Sequence, residues 1–166
     1  MRKIIFLLAF TFSLLLSCSS NESTTYYLIR HAEKDRSDAT NRNPNLNLKG
    51  KERAEKWAAY FKNIDLDAVY STNYTRTLQT AKPTAESKNI QIITYNPAKL
   101  YDSIFQQNTK GKTVLIVGHS NTTPMFANAI LGKKKYAFMN DNDNYSLYIV
   151  SISGGKIMSS IKKIEY

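Results

Sequence analysis

The sequence predicts a three-layer α/β/α sandwich whose central sheet is mainly parallel, with an antiparallel edge strand. Three observations lead there. Short, β-rich apolar runs alternate with stretches of helical periodicity. Two of those runs, residues 26–29 and 113–117, stop abruptly at polar residues: Arg30-His31 after the first, Gly118-His119-Ser120 after the second. The last two runs are joined by Ser153-Gly154-Gly155-Lys156, a composition suited to a hairpin. The 166 residues suffice for one domain with one core. The single cysteine, Cys18, permits no internal disulfide, so the core alone must hold the fold.

The chain opens with Arg2 and Lys3, followed by an apolar run over residues 4–16 that is short for a membrane span. The next stretch, Leu15-Leu16-Ser17-Cys18 followed by Ser19, Ser20 and Asn21, resembles the lipobox of bacterial lipoproteins. The resemblance implies a signal peptide over 1–17, lipid on Cys18, a polar tether over 18–25 and a domain over 26–166. That domain would be anchored to a membrane of the bacterial cell envelope, on the periplasmic or cell-surface side.

The first strand, 26–31, whose apolar run stops at Arg30-His31, leads into a polar loop, 35–47, containing Asn43-Pro44-Asn45. Because it follows the strand end closely, this loop should border a crevice there. Residues 48–62 read as a helix, with Ala54, Trp57, Ala58 and Phe61 on one apolar face. A short strand, 68–70, ends in Ser71-Thr72-Asn73. A helix over 74–86 follows, with Thr72 or Asn73 as its cap, Arg76 in its first turn and a kink or break at Pro83. Residues 90–95 form a third strand. Asn96-Pro97 reads as a cap and first-turn proline opening a helix with Leu100, Ile104 and Phe105 inward. After a turn at 109–112 comes the fourth strand, 113–117. Thr122-Thr123-Pro124 opens a helix to Leu131, closed by Gly132. Past a loop at 141–144, strands 145–152 and 157–164 complete the chain, the last as the antiparallel edge.

The net charge of +10 raises a nucleic-acid reading. No basic run exceeds Lys133-Lys134-Lys135, however, and no nucleic-acid motif is present. The charge is read as a solvated basic face with no nucleic-acid partner, one that would favour anionic substrates or anionic lipids.

The chain contains two histidines, and both lie just past a buried-looking strand. If those strands are parallel neighbours, His31 and His119 project into one crevice at their carboxyl ends, where open α/β sheets bind ligands. Arg30 and Arg76 belong to the same set of strand ends and helix starts. Two imidazoles and two guanidiniums are a poor metal site, since zinc would take three or four ligands, usually with a carboxylate or thiolate among them. They suit a phosphoryl group: arginines pair with its oxygens, an imidazole can attack phosphorus, and the remaining charge can stabilise the transition state without a metal or other cofactor.

Three segments carry a family resemblance. Leu28-Ile29-Arg30-His31-Ala32-Glu33 resembles the Arg-His-Gly-Glu motif of the histidine phosphatase superfamily, also called phosphoglycerate-mutase-like, with Ala32 in place of glycine. The stretch from Ser71 to Ala81 is similar to its second motif, Ser-x-x-x-Arg-x-x-Gln-Thr-Ala, with Thr72 in place of the serine. Gly118-His119-Ser120-Asn121 is similar to the third. Leu46 to Ala54, with Gly50, resembles a helix start that the family carries between the first two motifs.

The resemblance implies that His31 is the nucleophile, that Arg30, Arg76 and His119 hold the phosphoryl oxygens, and that no metal or other cofactor is needed. It also implies a carboxylic acid to protonate the leaving oxygen, with Asp102 preferred and Glu33 the other candidate. His31 must be neutral to attack, and the flanking arginines should lower its pKa.

The expected function is hydrolysis of a phosphorylated small molecule or other phosphomonoester through a phosphohistidine on His31. A phosphoglycerate-mutase-type phosphoryl transferase is one alternative; the short connections, offering no lid, favour hydrolysis over it. A non-catalytic phosphate-binding module is the other, and an intact His31 argues against it. A serine-hydrolase elbow at Ser120 is set aside, because the final glycine is missing and no histidine follows. Residues 35–47 and 133–144 are expected to shape substrate choice.

Overall fold

The structure is a computed structural model and describes residues 23–165. The lipobox, Cys18 and the signal peptide lie outside the described residues. Six strands and four helices alternate as β1 (Thr24–Arg30), α1 (Leu48–Phe61), β2 (Ala68–Thr72), α2 (Thr75–Ser87), β3 (Ile92–Tyr95), α3 (Ser103–Thr109), β4 (Thr113–Gly118), α4 (Thr122–Leu131), β5 (Ser146–Ser153) and β6 (Lys156–Lys163). The sheet order is β3-β2-β4-β1-β5-β6. The first four strands in that order are mutually parallel. β5 runs antiparallel to β1, and β6, at the edge, antiparallel to β5.

The period of two along each strand builds the three layers. Tyr26 and Leu28 of β1, with Val114 and Ile116 of β4, pack under Phe105 of α3 and Phe126 and Ile130 of α4. Their neighbours Ile29, Leu115 and Val117 face the other way, onto Trp57 and Phe61 of α1 and Ala81 and Ala85 of α2. These apolar side chains are almost wholly removed from water. Burial of that kind is worth roughly 1.5–3 kcal/mol per large side chain and is what holds the sheet between its helices.

The parallel pairing of β1 with β4 sets the position of the site. Its register matches Ile29 with Val117 and Arg30 with Gly118. His31 and His119 therefore leave adjacent strands at the same level. Gly50 brings α1 close to this end: a methyl group there would overlap the carbonyl oxygen of Glu33, and Asn47 caps the helix by accepting the Gly50 N–H.

Several local expectations are corrected. β1 begins at Thr24, not Tyr26, because the Thr25 N–H donates to Lys112 O and Thr24 Oγ1 accepts from Gly111; Thr24 and Thr25 thus belong to the sheet and not to a tether. The cap residue of α2 is Tyr74, since Thr72 is the last residue of β2; the loop residue Asn43 accepts the Thr75 N–H instead. α2 continues through Pro83 to Ser87. β3 starts later than expected, because Asn89 turns at positive φ and the Ile90 N–H still bonds to Ala85 at the end of α2. Asn96-Pro97 does not open α3. Asn96 Oδ1 accepts from Ala98 N–H in a turn, Tyr101 has φ of +51°, and the helix begins at Ser103 with Asp102 as its cap.

Candidate active site

His31 sits one residue past β1, and main-chain bonds fix it on both sides. Its N–H donates to Gly118 O at 2.9 Å, and its carbonyl accepts from Asn144 Nδ2 at 2.8 Å. The next N–H, of Ala32, donates to Thr80 Oγ1 of α2. The side chain of Ala32 fills a small buried cluster with Leu46 and Ala54, which accommodates the methyl that the motif's glycine lacks.

The His31 ring is buried, and its Nδ1 lies 2.7 Å from Ala32 O. A carbonyl can only accept, so Nδ1 carries the proton and Nε2 keeps its lone pair. Burial pushes this imidazole down to about 3, with smaller contributions in the same direction from Arg30, His119 and Arg76 and an opposing one from the Ala32 carbonyl. The direction is the expected one, but desolvation outweighs the arginines.

His119 lies beside it, the two ring centroids 5.5 Å apart. Its Nε2 is 2.9 Å from Thr72 Oγ1, whose own hydroxyl donates to Thr77. Nε2 is therefore the donor. Thr77 passes the chain on to the carbonyl oxygens of Thr72 and Tyr74. Nδ1 of His119 accepts a longer bond, 3.4 Å, from Arg76 Nη2. Burial pushes His119 down to about 4, and Arg76, Arg30 and Lys34 act in the same sense. The Tyr74 ring meets the imidazole edge-on and stacks under the Arg76 guanidinium.

The two arginines present their donors differently. The fork of Arg30 is held by one loop: Nη1 donates to Asn140 O and Asp141 O, with Asp143 O further off, and Nη2 donates to Asp141 Oδ1 at 2.8 Å. Arg76 reaches back from the first turn of α2, with Nη1 3.4 Å from Arg42 O. In each case Nε is buried and has no protein acceptor.

Arg30, His31, Arg76 and His119 line one crevice of about 380 Å³, together with Lys34, Ser120 and Asp141. Among the described residues, no three His, Cys, Asp or Glu side chains gather as metal ligands would.

The carboxylates differ from expectation. Asp102 is not in the crevice. It caps α3, with Oδ1 accepting the Phe105 N–H, and lines a separate cavity with Tyr70, Tyr95 and Lys112. The helix start moved from Asn96 to Asp102, which turned this side chain to backbone duty. Glu33 lines an adjoining cavity that shares Arg30 and His31, but both its oxygens accept from Arg53, and Lys49 lies 3.9 Å away. The carboxylate that does line the histidine crevice is Asp141. It stands in no periodic pattern, so residue spacing gives no sign of it. Topology does: a strand antiparallel to β1 must begin where β1 ends, which brings the loop before β5 to the crevice.

The sequence model of the histidine phosphatase superfamily (branch 1) matches residues 26–97, from β1 to just past β3. That segment includes Arg30, His31 and Arg76 but not His119. A comparison with the curated proteins finds no match. Among solved structures, SixA from Agrobacterium tumefaciens is similar, with a TM-score of 0.61, 21% identity and coverage of 84% of this chain and 97% of its own. A mycobacterial glucosyl-3-phosphoglycerate phosphatase gives 0.63 at 11% identity, covering 85% and 98%. A phosphoserine phosphatase from Entamoeba histolytica gives 0.61 at 16% identity, covering 83% and 96%. At these identities the likeness is one of fold, and it extends over nearly the whole of each relative.

Proposed function

We propose that this chain belongs to the histidine phosphatase superfamily and hydrolyses a phosphomonoester through a phosphohistidine on His31. The observation that carries the reading is the gathering of a tautomerically fixed imidazole and two guanidiniums in one crevice. His31 is held by Ala32 O with Nε2 free, and Arg30, Arg76 and His119 line the same crevice. Among the described residues Arg76 makes only two long side-chain bonds of 3.4 Å, so its fork can turn to an anionic oxygen at little loss. The superfamily match over 26–97 and the shared fold support the same reading.

In the reaction that follows, the Nε2 lone pair of His31 attacks phosphorus. The bond from phosphorus to the leaving oxygen breaks, its electron pair departs with that oxygen, and solvent supplies the proton. The positive charge left on the imidazole is stabilised through Nδ1–H by the Ala32 carbonyl. Arg30 and Arg76 hold the equatorial oxygens, and His119, whose Nδ1 accepts from Arg76, orients that guanidinium; as an imidazolium, protonated when the phosphoryl dianion binds, its Nδ1–H would donate to one of those oxygens as well. Water then attacks phosphorus, the bond from phosphorus to Nε2 breaks, and inorganic phosphate leaves.

The deciding experiment is turnover of p-nitrophenyl phosphate by the wild type and by His31→Ala. Hydrolysis by the first and loss of at least 10³-fold in the second, of the order expected when a nucleophile is removed, support the reading. Tight phosphate binding with no turnover in the wild type would mean a binding module instead.

A further inference from the structure

Lys34 is the cation of this crevice that the reaction above does not use. It lines the histidine crevice, the adjoining cavity of about 180 Å³ that Arg30, Arg36 and Asp141 share, and an outer cavity bounded by Arg36, Asp38 and Asn41. Its main chain is pinned: Lys34 pairs with Leu46 in an isolated antiparallel bridge, and the flanking residues form the bonds Asn47 N–H to Glu33 O and Asp35 N–H to Asn45 O. The side chain thus starts from a fixed point at the rim of the site.

Its ammonium makes no hydrogen bond or ion pair among the described residues. The nearby carboxylates are committed elsewhere. Glu33 is taken by Arg53, and Asp141 bridges Arg30 and Arg36. Asp35 and Asp38 accept N–H groups within their own loop. Lys34 is also half-buried among like charges: desolvation first, then Arg36, Arg76 and Arg30, pull its pKa down, and only Asp141 acts the other way. An ammonium placed so is unfavourable until an anion joins it. A phosphoryl dianion spread over Arg30 and Arg76 leaves one cation over at this rim, beside the phosphoryl position.

We infer that Lys34 forms a second anion subsite next to the phosphoryl site, so that the substrate is a phosphomonoester carrying a further carboxylate or phosphate. This rests on the phosphatase reading and narrows it to a substrate class. Arg36, whose charge is already shared with Asp141, marks the outer wall of the subsite.

The test uses the full chain in mild detergent and probes that are not hydrolysed: methylphosphonate with one anionic group, phosphonoacetate with an added carboxylate, and methylenediphosphonate with an added phosphonate. Calorimetry should show the wild type binding one or both two-group probes at least about tenfold more tightly than methylphosphonate, a ratio equivalent to about 1.4 kcal/mol. Lys34→Met should remove most of that ratio, and Lys34→Arg should keep it. A ratio confined to phosphonoacetate identifies the second group as a carboxylate; one confined to methylenediphosphonate identifies it as a phosphate. Equal binding of all three probes by the wild type, a ratio that survives in Lys34→Met, or no binding of any probe overturns the inference. Phosphonate binding without turnover of p-nitrophenyl phosphate overturns the phosphatase reading and leaves the subsite standing.

Discussion

Asp141 Oδ1 lies 2.8 Å from Nη2 of Arg30, and Oδ2 of the same carboxylate lies 2.7 Å from Nη2 of Arg36. An exposed aspartate thus rests on a buried arginine at the mouth of the histidine crevice. The bond to Arg30 is the first reason that the Asp141 carboxyl is held below the usual carboxylate range. The site therefore already contains one anion, and an incoming phosphoryl group must bind in its field. Three main-chain carbonyls hold the other end of the Arg30 fork, so the guanidinium keeps its orientation without the charge of Asp141.

Asp141→Asn preserves an acceptor for Arg30 Nη2 and removes one negative charge. Inorganic phosphate should inhibit this variant about three- to tenfold more strongly than the wild type, as expected for lifting one like charge at the edge of the solvent. Weaker inhibition by phosphate would show that the carboxylate helps to position Arg30 and does not compete for it.

The two histidines make stability depend on acid in a definite direction. Both folded-state pKa values, about 3 for His31 and about 4 for His119, lie below that of an unfolded histidine. Between those values and about 6.5 the unfolded chain binds more protons than the folded one, so stability rises with pH through that window and is lost as pH falls through it. The melting temperature should drop from pH 7 to pH 4.5, and His31→Asn or His119→Asn should each flatten the drop. An unchanged slope in both variants would mean that the rings are not buried as described. In the same range His31 stays neutral, so its protonation should cause no fall in turnover between pH 8 and pH 5.

Asp102 separates a structural role from a catalytic one. As the cap of α3 it accepts the Phe105 N–H at 2.8 Å, away from the histidines. Asp102→Ala should destabilise the fold by about 0.5–2 kcal/mol while leaving kcat on p-nitrophenyl phosphate within about twofold of the wild type. A large loss of kcat, with no matching loss of stability, would return Asp102 to the reaction.

What the sequence revealed, and what it hid, follows from the range over which each signal acts. His31 and His119 could be placed together because each ends an apolar strand and parallel neighbours share an end; the register of Arg30 with Gly118 makes this specific. Gly50 could be placed at a helix start through the family resemblance of residues 46–54, but its reason, close approach to the Glu33 carbonyl, is tertiary. Asn96-Pro97 carries the local chemistry of a helix start, yet the chain makes a turn there and Tyr101 takes a left-handed conformation before α3 begins. That shift moved Asp102 out of the site. Asp141, with no motif around it, became visible only once β5 was seen to pair antiparallel with β1.

The most direct test of the account is chemical. The working protein, mixed with p-nitrophenyl phosphate and quenched during turnover under alkaline denaturing conditions, should yield by mass spectrometry a peptide phosphorylated on the imidazole of His31, and His31→Ala should yield none. Phosphate found instead on Ser120, His119 or any other side chain would contradict the central claim.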